Sequence, residues 1–200
     1  MKEPFKEYMN RELAPDAVLI ACGLPATYKT ETTEVIAEIK GYKILRTDLI
    51  RLEVLKGEDI FDEKVAANMD KRQLVYDETF QRAEELVEKG EGLILDATFI
   101  TTELRRRAAE IAARHHKVFV IQQTQCPQEV SFRRISERTK EKYESNALTG
   151  QAYLNNMERF EEVDLDDLKS AFPVLSVVHL LVDTSSDFVD EWKVIGRWDR

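Results

Sequence analysis

The chain has 200 residues and a formal net charge of −9, and 43% of its residues are apolar while 34% are charged. This composition is typical of a folded globular protein and excludes an intrinsically disordered chain, and the longest apolar runs are far too short for a membrane span. The acidic balance also argues against an extended nucleic-acid-binding surface, which would be basic.

The two cysteines and the N-terminal residues bear on the cellular compartment. Cys22 and Cys126 lie in or beside strand-like segments and have no metal-ligand spacing, and the first residues lack the apolar stretch of a signal peptide. We therefore expect reduced thiols and a cytoplasmic protein.

Strand-like and helix-like segments alternate along the chain, and Pro and Gly stand singly, without a linker. We expect Gly41 to cap a helix, Asp48 to be the N-cap of the next one, and Gly90 to end a long one. In chain order the predicted elements are helix 2–12, strand 16–22, a helix to residue 40, strand 42–46, a helix from residue 48, helix 62–89, strand 92–96, helix 102–115, strand 117–123, helix 127–138, a helix to about residue 171 with a break near 146–150, and a last strand, 177–184.

This order predicts one α/β domain over residues 1–200, because strands that alternate with long helices form βαβ crossovers. The expected architecture has three layers, with a parallel sheet between helices on both faces. Ligands of such sheets bind at the carboxyl ends of the strands, which is where the candidate site residues fall.

A phosphate-loop sequence follows the first long strand. Residues 23–30 read GLPATYKT, so Gly23, Lys29 and Thr30 match the Walker A pattern GxxxxGK[ST]. In that pattern backbone N–H groups at a helix N-terminus point at the phosphates, the lysine neutralises the β- and γ-phosphate oxygens, and the hydroxyl binds Mg²⁺. The segment predicts ATP and Mg²⁺ as cofactors; the alternative is an ordinary strand-to-helix turn with a chance Lys-Thr pair.

The loop departs from the pattern at Tyr28, which replaces the second glycine. Its Cβ lies where the backbone must pass close to phosphate. We expect position 28 to have a negative φ as the helix opens, so that the side chain is tolerated and the N–H groups of Ala26, Thr27 and Tyr28 still bind the nucleotide.

Two further strand ends carry polar residues. Asp48 and Arg51 lie three apart on a first helical turn and so face the same way, where Asp48 could take a hydroxyl proton and Arg51 could hold an anionic group. An N-cap with a solvated arginine is the alternative. Asp96 ends an apolar strand, as the carboxylate near Mg²⁺ does in phosphate-loop proteins, although it could simply form a turn.

Arginines are the remaining candidates. Arg134 and Arg138 are spaced i, i+4 on one helix and could close over the phosphates, although such faces are usually just solvated. Arg105, Arg106 and Arg107 follow the LDATF segment, and we expect a solvated face there; the alternative is that one of them faces the substrate.

Taken in order, GLP…KT, D-x-x-R, LDATF and R-x-x-x-R after a CP-E turn resemble the P-loop kinases of the polynucleotide 5′-kinase and zeta-toxin-like group, over about residues 16–184. The resemblance implies an adenylate-kinase-like P-loop core with a helical lid at about residues 138–155. It also implies an ATP-binding loop.

The same resemblance implies roles for individual residues. Lys29 and Thr30 take the loop roles, Asp48 is the general base, Arg51 lies on the substrate side, and Arg138, with Arg134, binds ATP from the lid. Asp96 lines the site and contacts either metal or substrate.

We therefore expect a kinase that transfers the γ-phosphoryl group of ATP to a hydroxyl group of a small molecule or nucleotide-linked sugar. The alternatives are an ATP-binding module without turnover, which Tyr28 would favour, and a polynucleotide or RNA-end kinase, which a basic patch near Arg51 and Arg105 would favour.

Overall fold

The computed structural model describes residues 1–60, 65, 68–138 and 149–200. Its strands are β1 (Glu3–Pro4), β2 (Val18–Cys22), β3 (Lys43–Arg46), β4 (Leu93–Asp96), β5 (Phe119–Gln125), β6 (Val177–Asp183) and β7 (Lys193–Asp199). They form one sheet in the order β1-β7-β6-β5-β2-β4-β3. The five strands from β2 to β6 run parallel, which confirms the predicted parallel α/β core.

Two antiparallel strands extend this core at one edge, where β7 pairs with β6 and β1 with β7. The expectation that strand 177–184 is the last was therefore wrong. Only Val194 and Gly196 of β7 are buried, and its other residues are charged or partly exposed, so the segment lacks the apolar run by which the inner strands were recognised.

The helices cover both faces of the sheet. They are α1 (Phe5–Glu12), α2 (Lys29–Lys40), α3 (Thr47–Val54), α4 (Met69–Val87), α5 (Thr102–Arg114), α6 (Gln128–Ser136), α7 (Gly150–Glu158) and α8 (Leu165–Ala171), and residues Val189–Glu191 form one 3₁₀ turn. None of the described helices is long and apolar enough to cross a membrane.

Two predicted caps have different outcomes. Gly41 caps α2 with a φ of 73°, as expected. Asp48 is not the N-cap of α3, because that helix begins at Thr47 after the extended residue Arg46, which places Asp48 in the first turn. The predicted helix 62–89 is described from Met69 to Val87, and most of the predicted lid lies outside the described residues.

The helical run to residue 171 has a break that the sequence did not reveal, between α7 and α8. There Glu161 donates its backbone N–H to the Ile100 carbonyl at 2.8 Å, and its carboxylate accepts from Thr102 N at 2.5 Å. The chain leaves the helix because it is bound to the segment that follows β4.

Alternation along the strands explains the two cores. Val18, Ile20 and Cys22 of β2 pack in one buried cluster with α4 and α5, whereas Leu19 packs in a second cluster with α1 and α2. Successive side chains of a strand point to opposite faces, so a strand buried on both faces is apolar throughout. The polar residues of the candidate site lie beyond the carboxyl ends of these strands.

Candidate active site

Gly23 starts the loop between β2 and α2. Its φ is 137°, and a Cβ there would lie 2.6 Å from the Thr124 carbonyl oxygen and 2.9 Å from Thr124 Oγ1. Both the backbone conformation and this close approach require glycine. Gly23 also donates its N–H to the Thr98 carbonyl at 3.3 Å, so the loop begins in contact with the segment after β4.

Three buried threonines fasten the loop from inside the protein. Thr27 Oγ1 donates to the Leu24 carbonyl at 2.8 Å and pairs with Thr124 Oγ1 at 2.7 Å, and Thr184 Oγ1 donates to the Thr27 carbonyl at 2.9 Å. Thr124 and Thr184 were not predicted from the sequence, although Thr124 lies near the carboxyl end of β5, beside β2, and Thr184 directly follows β6, the next strand along the sheet. Thr27 therefore has a structural side chain in addition to the N–H proposed for phosphate.

Tyr28 has a φ of 57° and a ψ of 38°, and Ala26 has a φ of 61°. The expectation of a negative φ at position 28 was wrong. A residue with a Cβ in this left-handed region costs roughly 1–2 kcal/mol, which explains why glycine is usual in the Walker A pattern. The backbone has thus adopted a conformation that favours glycine in spite of the tyrosine.

The ring of Tyr28 packs against the segment after β6. Its hydroxyl donates to Asp187 Oδ1 at 2.9 Å, the Arg134 guanidinium lies 3.7 Å from the ring centroid, and the Trp192 ring centroid lies 5.5 Å away. Burial and the neighbouring Asp187 carboxylate raise the pKa of Tyr28 to about 12, so the hydroxyl stays protonated at neutral pH. These contacts offset the strained backbone by holding the side chain in one place.

Lys29 folds back over the loop, where Nζ donates to the Leu24 carbonyl at 2.7 Å. Burial lowers the pKa of its amine, the Asp96 carboxylate acts in the opposite direction, and the Arg138 charge adds to the lowering. Lys29 and Arg138 are therefore close enough to share one electrostatic environment with Asp96. Lys29, at the N-terminus of α2, and a second cation near it suit a polyphosphate.

Thr30 Oγ1 donates to Asp96 Oδ2 at 2.8 Å, which brings the two candidate metal ligands together. The Asp96 side chain is only 6% exposed, and Arg46 Nε lies 3.7 Å from the same carboxylate oxygen. Burial, with a smaller contribution from the charge of Asp48, outweighs the lowering by Thr30, Lys29 and Arg46, so the pKa of Asp96 is raised to about 6.

Arg46 is a site residue that the sequence analysis missed. It stands opposite Asp96 in the parallel register of β3 and β4, and its Nε is buried without a hydrogen-bond partner among the described residues. It also pairs with Glu34 of α2. Arg46 ends β3 as Asp96 ends β4, and this shared position at a strand end could have identified Arg46 as a site residue.

Asp48 and Arg51 face the same way, as their spacing predicts, and they form an ion pair with each other. The Arg51 side chain is only 13% exposed, so the alternative of a solvated arginine was wrong. The charge of Asp48 acts on Asp96 and on Tyr76 of α4. Asp48 therefore lies at the same end of the sheet as the phosphate loop, the end formed by the carboxyl ends of the strands. The two are close even though β4 lies between β2 and β3.

Arg134 has a different place from the one expected. Its side chain is 5% exposed and donates to the carbonyls of Ala26 at 3.1 Å and Thr184 at 2.8 Å, and to Asp187 Oδ1 at 2.9 Å. Since protein acceptors occupy the guanidinium, we replace the proposed direct contact with ATP by a positioning role for the loop.

Arg105 was expected on a solvated face, and this was wrong. It is 2% exposed and donates to the carbonyls of Phe99 at 3.0 Å, Glu161 at 2.7 Å and Glu162 at 3.0 Å. These backbone carbonyls come together only in the folded chain. The burial of Arg105 therefore could not be predicted from the spacing of residues in the sequence. Its neighbours Arg106 and Arg107 form ion pairs at the surface, as expected.

No three His, Cys, Asp or Glu side chains gather into a metal site within the described ranges. The donors at the loop are a hydroxyl, Thr30 Oγ1, and a carboxylate, Asp96. Mg²⁺ prefers few protein ligands together with water and substrate phosphates, so this sparse set fits a magnesium ion that arrives with a nucleotide.

A family model described as an AAA domain matches residues 18–163 of the chain. The chain belongs to this family. The match covers the phosphate loop, α3, the β4 end and α6, and it confirms the resemblance to P-loop kinases and the predicted P-loop α/β fold. No curated protein matches the chain.

Several solved structures share the fold. A gluconokinase from Sinorhizobium meliloti 1021 aligns with a TM-score of 0.57 and 16% identity over 86% of this chain and 84% of its own. A sugar kinase from Janibacter sp. HTCC2649 aligns with a TM-score of 0.61 and 12% identity over 85% and 86%. The AvrRxo1-ORF1:-ORF2 structure with ATP aligns with a TM-score of 0.54 and 17% identity over 96% and 64%. The TM-scores show a common kinase-like fold, and at identities this low the likeness concerns the fold alone.

Proposed function

We propose that the protein is a kinase that binds ATP and Mg²⁺ at the phosphate loop and transfers the γ-phosphoryl group to a hydroxyl group of a small molecule or nucleotide-linked sugar. The observation that carries the proposal is the meeting of Thr30 and Lys29 with Asp96 and Asp48 at one edge of the sheet. These residues come from the ends of three parallel strands, and only the fold brings them together.

The nucleotide side of the proposal rests on the loop. Backbone N–H groups at the start of α2 and the amine of Lys29 supply positive charge for the β- and γ-phosphates, and Arg138 adds a second cation. On binding ATP, Lys29 exchanges its bond to the Leu24 carbonyl for a phosphate oxygen. Thr30 and Asp96 would hold Mg²⁺, which would neutralise negative charge on the phosphates.

The acceptor side rests on Asp48. Its carboxylate accepts the proton of the attacking hydroxyl while the oxygen bonds to the γ-phosphorus and the bond to the bridging oxygen of ADP breaks. The ion pair with Arg51 orients the Asp48 carboxylate for this step. Positioning and charge neutralisation supply most of the rate enhancement in such transfers.

The small acceptor is supported by the acidic net charge of −9 and by the gluconokinase and sugar kinase that share the fold. A long polyanion would need a broad basic surface, and burial removes Arg105 from such a patch.

An ATP-binding module without turnover is the second candidate, because Tyr28 places a side chain at a left-handed position of the loop. An enzyme and such a module differ in their need for a general base. We would incubate the protein with ATP, Mg²⁺ and a panel of sugars, sugar acids and nucleotides, and measure ADP together with phosphorylated product. Product formed by the parent and lost in Asp48→Asn supports the kinase. ATP binding without product for any acceptor supports the module, and no ATP binding contradicts both.

A further inference from the structure

Arginines from three separate elements lie near one another on the α3 side of the site. Arg51 lies on α3, Arg72 on α4, and Arg159 is the C-cap of α7. Helices α3 and α4 pack together through a buried apolar cluster, and the charges of Arg51 and Arg159 both act on Arg72.

Two independent contacts place this region next to the reaction site. Tyr76, one helical turn after Arg72, faces the Thr98 side chain, and its ring packs edge-on against Phe99 with the centroids 6.1 Å apart. On the other side, Glu161, two residues after Arg159, donates its N–H to the Ile100 carbonyl at 2.8 Å. The backbone segments that carry Arg72 and Arg159 are thus fixed against the segment that begins with Asp96, whose Thr98 carbonyl binds Gly23 of the phosphate loop.

The charges of this cluster are only partly matched. Arg51 is paired with Asp48, whereas Arg72 and Arg159 have no side-chain hydrogen bond or ion pair in the part of the chain that the structure describes. Arg72 is half-buried, and burial together with the neighbouring cations lowers its pKa. Arg159 is exposed, so the free-energy cost falls mainly on the half-buried Arg72 beside two other cations, and a bound anion would offset it.

The charge of the cluster selects among anions. With Asp48 matched by Arg51, two guanidinium groups remain, and a phosphate monoester carries about −1.5 to −2 at pH 7. A single carboxylate would leave one of them unmatched. The planar fork of arginine also suits bidentate contacts to phosphate oxygens.

We infer that the acceptor is a hydroxyl compound that already carries a phosphate group, and that Arg72 and Arg159, with Arg51, bind that phosphate while Asp48 receives the hydroxyl proton. This inference rests on the kinase function proposed above. The existing phosphate takes no part in bond making and fixes the distance between the hydroxyl group and the γ-phosphate. Arg72 is thereby a residue that determines acceptor specificity.

Binding of inorganic phosphate tests the site without any acceptor. Calorimetry with the phosphate loop saturated by ADP and Mg²⁺ should show one phosphate site in the parent protein, and Arg72→Gln should weaken it about ten- to hundredfold, the usual worth of charged hydrogen bonds. Arg114→Gln is the matched control, because Arg114 lies on the exposed surface of α5 and pairs with Glu84. An equal affinity in Arg72→Gln and Arg114→Gln would overturn the inference.

Lys29→Ala separates this inference from the proposed function. Titrated without nucleotide, it should keep the phosphate site, because its change lies in the loop. If Lys29→Ala loses phosphate while Arg72→Gln keeps it, the anion binds at the phosphate loop and the inference is wrong. Failure of the parent to bind ADP, with the phosphate site intact, would contradict the kinase proposal and leave the anion site established.

The acceptor itself is tested with matched pairs: glucose and glucose 6-phosphate, ribose and ribose 5-phosphate, adenosine and adenosine 3′-monophosphate, with gluconate as the carboxylate member. We expect turnover of a phosphorylated member, and Arg72→Gln to raise its KM about ten- to hundredfold while the KM for ATP stays constant. Sugar phosphate and nucleotide arms distinguish the source of the phosphate. Preference for an unphosphorylated member or for gluconate overturns the inference.

Discussion

Thr30 Oγ1 donates a 2.8 Å hydrogen bond to Asp96 Oδ2, which joins the first turn of α2 to the carboxyl end of β4. The bond places a hydroxyl donor on a carboxylate whose burial raises its pKa from 3.8 to about 6. In the proposed magnesium site both oxygens would face the ion, and Asp96 would have to be ionised to hold it. The protonation of Asp96 would then couple the proposed metal binding to stability.

We expect the contribution of Asp96 to the free energy of unfolding to be larger at acidic pH than at neutral pH. A carboxyl whose pKa is higher in the folded state binds its proton more tightly there, so its contribution is fully present below 3.8 and is lost as the pH rises through about 6. Relative to Asp96→Asn, the parent should gain roughly 1–3 kcal/mol between pH 7.5 and pH 4. Urea unfolding of both proteins at the two pH values measures this difference. Parallel pH profiles would show that Asp96 is not buried as described.

Lys29→Ala should leave the fold intact and abolish stabilisation by ATP and Mg²⁺. A ligand at a hundredfold its dissociation constant adds about 2.7 kcal/mol to the free energy of unfolding, and this shift should be present in the parent and missing in the variant. Thermal melts with and without nucleotide check it. Lys40→Ala serves as the control, because Lys40 lies at the other end of α2 and bonds to the Asn10 carbonyl. An equal shift in all three proteins would show that Lys29 does not contribute to nucleotide binding.

The sequence predicted those parts of the fold that local pattern determines. The buried strands of the core, the capping of α2 by Gly41 and the meeting of Thr30 with Asp96 follow from apolar runs, a turn residue and a motif. Strand β7 was missed because an edge strand exposes most of its side chains and carries no comparable apolar run.

Residues defined by long-range contacts could not be predicted. Arg105 and Arg134 look like surface arginines in the sequence, and only the folded chain supplies the carbonyls that surround them. Position 28 shows the same limit for the backbone. A negative φ is the lower-energy choice for tyrosine by itself, and contacts with Arg134 and Asp187 from distant elements override it.

Asp48→Asn should bind ATP about as well as the parent and lose phosphotransfer. The expected loss in rate is roughly 10²–10⁴-fold, which is the usual contribution of a positioned general base. Single-turnover assays at saturating ATP measure it once an acceptor is found, and calorimetry measures ATP binding. Weaker ATP binding with an unchanged residual rate would instead place Asp48 at the nucleotide.

Arg51→Ala should weaken binding of the acceptor more than binding of ATP. Arg51 pairs with Asp48 and lies near Arg72, on the acceptor side of Asp96. Loss of one charged hydrogen bond should raise the acceptor KM about tenfold or more. Steady-state kinetics that vary each substrate in turn separate the two effects, and a change confined to the KM for ATP would contradict the assignment.

Tyr28 offers the sharpest test, because two substitutions at this position separate its backbone from its ring. Tyr28→Ala and Tyr28→Gly both remove the contacts with Arg134, Asp187 and Trp192, so both should be less stable than the parent. They differ only in the Cβ, whose net effect on stability depends on the backbone conformation at position 28. At a φ of 57°, alanine keeps the left-handed cost and glycine does not, so Tyr28→Gly should be more stable than Tyr28→Ala by about 1 kcal/mol.

The opposite order follows if position 28 takes a negative φ at the opening of the helix, because alanine is then favoured over glycine by about 1 kcal/mol. Urea unfolding of the two variants therefore gives a difference whose sign decides the conformation. Tyr28→Phe, which keeps the ring and loses only the bond to Asp187, should stay closest to the parent. The ring packs against the segment after β6, so Tyr28→Gly should change ATP affinity less than tenfold. A gain well above tenfold on titration with ATP and Mg²⁺ would mean that the natural tyrosine suppresses binding, and would favour the module without turnover over the kinase.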